Sequence, residues 1–101
     1  AKPHYECALK LFEEMFGPDH PKVAKALNHL ALLLHAQGEY VKAKPLHERA
    51  VRIRQEKLGP NHPDVAESLN NLAESLLYQG KYDEAKPLFE RALRICEEKL
   101  G

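Results

Sequence analysis

The sequence predicts an all-α fold, an α-solenoid of antiparallel helix pairs containing five helices. Three observations lead there. Gly17, Gly59 and Gly101 stand 42 residues apart, and aligning residues 17–58 with 59–100 gives identity at 26 of 42 positions. Within each unit, apolar residues recur at the three-and-four spacing of an α-helix. A helix pair of this size cannot bury its apolar face alone, so repeated pairs must stack and share a core.

Taken in order, residues 1–16 align with the second half of the unit: Ala1-Lys2-Pro3 with Ala43-Lys44-Pro45, and Leu11 with Ile53 and Ile95. They read as the second helix of a partial repeat, followed by whole repeats at 17–58 and 59–101 in one continuous domain. The first helix of each whole unit is expected over 20–37 and 62–79. Val23, Leu27, Leu30, Ala31 and Leu34 share one face, and Val65, Leu69, Leu72, Ala73 and Leu76 repeat it. Asp19 and Asn61 suit the N-cap, Pro21 and Pro63 the first turn, and Gly38 and Gly80 a left-handed stop. The second helices are expected over 41–58 and 83–100. Their apolar faces run through Ala43, Leu46, Ala50, Ile53 and Leu58, and through Ala85, Leu88, Ala92, Ile95 and Leu100. Pro45 and Pro87 lie close enough to the helix starts that each removes at most one backbone bond.

Bulk properties exclude several functions. Fifteen Lys and Arg balance fifteen Asp and Glu in 101 residues, so the basic excess of a nucleic-acid binder is missing. The longest apolar run, Leu30 to Leu34, is far below the ~20 residues that span a bilayer. No signal-peptide pattern opens the chain, which begins in mid-repeat. Cys7 and Cys96 form no Cys-x-x-Cys and favour a reducing, cytoplasmic setting over a disulfide scaffold.

Leu-Gly-Pro-Asn-His-Pro-Asp-Val-Ala at 58–66, Leu-Asn-Asn-Leu-Ala at 69–73 and Gln-Gly-Lys-Tyr-Asp-Glu-Ala at 79–85 resemble tetratricopeptide repeats, in the 42-residue form of the kinesin light chain-like family. The resemblance covers the whole chain. It departs from the common 34-residue pattern at Leu27 and Leu69, where tryptophan is typical, and at Ala31 and Ala73, where glycine is. The closing proline is also missing, which lets the second helix run longer. The resemblance implies right-handed superhelical stacking, a concave surface lined by the first helices, and peptide binding there.

The stripe of each first helix that the core does not use is the candidate peptide site. In one unit it holds Lys25, Asn28, Leu32 and His35, with His29 at its edge. In the next it holds Glu67, Asn70, Glu74 and Leu77, with Asn71 and Tyr78 beside it. Asn28 and Asn70 occupy the same repeat position in mid-helix, where Asn costs roughly half a kcal/mol against Ala. Either a ligand backbone or a neighbouring helix must offset that, since an amide both donates and accepts. The family's acidic, tryptophan-containing ligands do not transfer, because Glu67 and Glu74 repel them; a basic segment fits the second unit better.

No catalytic, cofactor or metal site is expected. The six histidines include no i,i+4 pair and no His-Glu-x-x-His. His20 and His62 precede prolines and suit turns, whereas His47 aligns with Phe89 and Tyr5 and suits a packing position. Each cysteine reads as a buried or half-exposed thiol outside any repeated motif. Glu13-Glu14 and Glu97-Glu98 read as solvated helix faces. The leading function is a protein or peptide partner held in the groove, without nucleic acid or membrane; the alternative is a structural spacer. The terminal helices carry Leu9, Leu11, Phe12 and Phe16, and Leu88, Phe89, Leu93 and Cys96. These uncapped ends imply a longer array or self-association.

Overall fold

The computed structural model describes the backbone of residues 2–100 and the side chains of 6–99; Leu100, placed on the apolar face of the last helix, and Tyr5 lie outside the described side chains. Five helices and no strand are found among the described residues: α1 (Lys2–Phe16), α2 (Pro21–Ala36), α3 (Tyr40–Leu58), α4 (Pro63–Tyr78) and α5 (Tyr82–Leu100). Each helix packs on the next in sequence, and α2 also touches α4 across the stack.

Helix starts and stops follow local chemistry. At the starts of α2 and α4 the N-caps are His20 and His62, not Asp19 and Asn61. Their Nδ1 atoms accept from the amides of Lys22 at 3.1 Å and Asp64 at 3.0 Å. With Pro21 and Pro63 at the first helical position, the residue just before the proline becomes the cap, and that residue is histidine. At the far ends Gly38 and Gly80 both have φ +78°. The Gly38 amide donates to His35 O and the Glu39 amide to Leu34 O. The Gly80 and Lys81 amides repeat this with Leu77 O and Leu76 O. These are paired Schellman bonds, which a residue with a Cβ reaches only under strain. Pro45 and Pro87 are accommodated inside α3 and α5 without ending either helix.

The core is a chain of small clusters, as the 42-residue pattern requires. Val23, Ala24, Leu27, Ala50 and Ile53 form one, against which Leu9 and Phe12 pack. Val51, Val65, Ala66, Leu69, Ala92 and Ile95 form the next. Ala31, Leu34 and Ala43 close one helix pair, and Leu72, Ala73, Leu76 and Ala85 the other, with Leu88 and Phe89 against it. Alanine at the contact points lets backbones approach closely while leucine and valine fill between them. Of the predicted apolar faces, Leu46, Leu58 and Leu88 are half-buried, and the other described positions are buried.

Between repeats, two arginines at equivalent positions act as ties. Arg49 Nη2 donates to Glu13 Oε2 at 2.8 Å and to Pro18 O at 3.0 Å. Forty-two residues on, Arg91 donates to Gln55 Oε1 and to Pro60 O. Each tie joins a second helix to the preceding second helix and to the turn that leaves it. A charged, forked donor suits two acceptors at once.

Candidate functional site

The periodicity of α2 gives one face to the core and leaves a second stripe facing α4. That stripe and its counterpart on α4 enclose a groove of about 350 Å³ lined by Lys25, Asn28, His29, Leu32, Arg54, Asp64, Glu67 and Asn71. Six of the predicted site residues are therefore together in one concavity. Leu32 is 44% exposed and supplies an apolar contact.

At the groove wall stands a polar network that joins three helices. Arg54, on α3, is buried, and its Nη1 donates to Asp64 O at 3.0 Å, Ser68 Oγ at 3.0 Å and Glu67 Oε1 at 3.3 Å. Ser68 Oγ also accepts from Asn28 Nδ2 at 3.3 Å. The bond to a neighbouring helix, one of the two alternatives for Asn28, is thus made by the amide nitrogen. The amide oxygen, Oδ1, is buried without a hydrogen-bond partner. A buried polar atom left unpaired costs about 1–3 kcal/mol, so Asn28 retains an acceptor for which the described residues supply no partner.

The equivalent Asn70 is half-buried and has no hydrogen bond among the described residues. Glu74, Leu77 and Tyr78 are exposed on α4. His35 and Tyr78 meet beyond the groove in an aromatic cluster with Tyr40 and His47. Tyr40 and Tyr78 stack at 5.1 Å, and His35 stands edge-on to both and to His47. His47 is fully buried, the packing role its alignment with Phe89 implied. Its Nε2 lies 3.3 Å from His35 Nε2, while its Nδ1 is buried and unpaired. The two rings share one hydrogen bond, in which the ring protonated at Nε2 donates to the other. Burial, reinforced by His35, pushes the His47 pKa down to about 4. Burial also lowers His35, opposed by the Glu74 carboxylate.

Sequence reasoning did not anticipate Arg54, Asp64 or Tyr40 here. Arg54 carries no repeat signal, since Phe12 and Cys96 occupy its equivalents. The expectation of buried or half-exposed thiols is corrected: Cys7 and Cys96 are both exposed. Position 96 follows the Arg54 register, but no helix of the described chain covers α5 on that side. Among the described residues no group of three or more His, Cys, Asp or Glu is arranged to hold a metal ion, and no helix is long and apolar enough to cross a membrane.

No curated protein matches this chain. Among solved structures, BtubC (BKLC) from P. vanneervenii superposes with a TM-score of 0.90 at 30% identity over 98% of this chain. The chain spans 40% of the length of that protein. The profile of the tetratricopeptide repeat family matches twice, over residues 1–56 and 22–98. With the profile covering nearly every residue of a fold already seen to be stacked helix pairs, the chain belongs to the tetratricopeptide repeat family.

Proposed function

We propose that the chain is a protein-interaction module that holds an extended segment of a partner polypeptide in the groove between α2 and α4. Tetratricopeptide repeats are in general protein–protein interaction modules, which supports a binding scaffold over an enzyme. The observation that carries the groove reading is Asn28 Oδ1, a buried acceptor without a partner in the groove wall. A ligand main-chain N–H would satisfy it once the α2–α4 wall parts enough to bare the oxygen, which is buried in the free chain. Lys25, His29, Leu32, Glu67 and Asn71 would flank the ligand. His35, Asn70, Glu74, Leu77 and Tyr78 would continue its track along the stack. In this reading residues 1–16 are half of a repeat, 17–58 and 59–101 are whole repeats of one solenoid, and two exposed thiols suit a reducing, cytoplasmic compartment.

Glu67 is engaged by Arg54, so the preference for a basic ligand segment rests mainly on Glu74. The test is selection from a peptide library followed by NMR titration with the selected peptides. Selected peptides should shift amide resonances between residues 25 and 32 and between 67 and 78. Leu32→Asp, an exposed position, should weaken them about tenfold or more, roughly the loss of one desolvated apolar contact, with the fold intact. Binding that leaves those resonances and that variant unaffected would rule the groove out. Unchanged affinity but lowered stability in Asn28→Ala would assign Asn28 to the helix contact alone.

A further inference from the structure

Among the residues that line the α2–α4 groove, only Arg54 comes from α3. It is 6% exposed, and its bonds to Asp64 O, Ser68 Oγ and Glu67 Oε1 all leave from one atom, Nη1. A guanidinium carries five N–H donors, three of them on Nε and Nη2. Those two atoms of Arg54 make no hydrogen bond among the described residues, and neither is sealed from solvent. The ion pair with Glu67 therefore takes up the charge of Arg54 without using all of its donors.

One hydroxyl joins this arginine to the orphan acceptor of the groove wall. Ser68 Oγ accepts from Arg54 Nη1 at 3.0 Å and from Asn28 Nδ2 at 3.3 Å, and Asn28 is 4% exposed with Oδ1 unpaired. Spare donors on a buried cation thus stand beside a spare acceptor on a buried amide. The combination does not recur at the repeat period: Asn70 repeats Asn28, but Phe12 and Cys96 occupy the equivalents of Arg54. A ligand carboxylate only accepts and would set one acceptor against another at Oδ1; an ammonium only donates and would meet the guanidinium. An amide does both. The charges around the site favour neither ion, since Lys25 and Arg54 are matched by Asp64 and Glu67.

We propose that Arg54 is a ligand-binding residue that forms, with Asn28, a two-point clamp on one amide-bearing residue of the partner. Arg54 donates from Nη2 or Nε to the ligand carbonyl oxygen, and Asn28 Oδ1, once bared, accepts from the ligand N–H. The clamp rests on the groove reading given above and names the chemical group that the groove selects. In an extended chain the N–H and C=O of one residue point the same way, as they do in an antiparallel ladder, so a single main-chain residue meets both points. A side-chain carboxamide offers the same pair. Because the clamp is confined to one register, it fixes which ligand residue lies at this junction, whereas the Asn70 level has no guanidinium to complete a second one.

The experiment is an amide-to-ester scan of a library-selected peptide that NMR places in the groove, with affinity read by fluorescence anisotropy. Each ester removes one N–H and weakens the carbonyl before it. Esters at two consecutive positions should each lower affinity about tenfold, the loss of one hydrogen bond in a desolvated site. The first loss should shrink below about threefold in Asn28→Ala and the second in Arg54→Met, the non-additivity of groups in contact; Asn70→Ala should change neither. Circular dichroism checks the variants. The Arg54 Nε–H resonance of the wild type should also shift on binding, which reads the contact even if Arg54→Met does not fold. A silent ester scan, with the same losses produced by replacing one ligand Asn or Gln with Ala, would assign the clamp to a side-chain carboxamide. Peptides that occupy the groove yet tolerate every ester and every carboxamide replacement, or whose losses persist in both variants, would overturn the clamp and leave the groove standing. Failure of every peptide to enter the groove would overturn both.

Discussion

Lowering the pH from about 7.5 to about 4 should remove about 3 kcal/mol of stability through His47. In the folded chain this imidazole is completely buried and its pKa is held near 4, first by burial and then by His35; in the unfolded chain it returns to 6.5. Between those values the unfolded state binds the extra proton. The stability His47 confers is therefore fully present above pH 6.5 and drains away as pH falls towards 4. Each pKa unit is worth ~1.36 kcal/mol, so the gap amounts to about 3 kcal/mol. Burial also lowers the pKa of His35, so His35 adds to the pH dependence. The measurement must isolate one ring, and the repeat supplies the control, because Phe89 occupies the equivalent position. Urea unfolding of the wild type and His47→Phe at half-unit pH intervals gives two stability curves. Their difference should be flat above pH 6.5 and change by about 3 kcal/mol, in favour of the variant, by pH 4. Curves that stay parallel to within about 0.5 kcal/mol would show that the folded imidazole titrates normally, and the account of His47 would fail.

Three further substitutions probe the fold by other means. Leu69→Ala removes a buried side chain from the cluster joining α3, α4 and α5 and should cost about 2–5 kcal/mol in urea unfolding. Gly80→Ala meets no atom within 4 Å of the new Cβ, so its expected cost of ~1–2 kcal/mol comes from the left-handed backbone alone, read as a lower melting temperature. Arg54→Ala strips the donor shared by Asp64 O, Ser68 and Glu67 and should cost about 1–3 kcal/mol, with amide exchange quickening at the start of α4.

The fold was legible because one number, the 42-residue period, fixed the phase of every helix at once. The expected helix limits fall within two residues of the observed ones wherever Gly38, Gly80 or a Gly-Pro pair marks an end. The caps were misassigned because Asp and Asn are the stronger capping residues in isolation. Here the following proline fixes which residue must serve, and that residue is histidine. The inter-repeat ties were visible in principle, since Arg49 and Arg91 recur at the period. Repetition alone, though, does not separate a tie from a solvated arginine. The groove was only partly legible. Its α2 and α4 members follow from helical spacing. Arg54 reaches it from α3 through a substitution found in one register only, and no periodic argument finds a residue that breaks the period. The pairing of His35 with His47 was hidden for a related reason: twelve residues separate them, and only the turn at Gly38 brings the rings together.

Because each helix rests mainly on its sequence neighbours, the described helices form a mechanical series in which no contact links α1 to α5. A pull on the termini must be carried in full by every junction in turn, and the weakest yields first without loosening those beyond its neighbour. Each 42-residue unit that gives way would release about 140 Å of extended chain. Such a molecule would lengthen in discrete steps under load and recover one unit at a time when the load is removed.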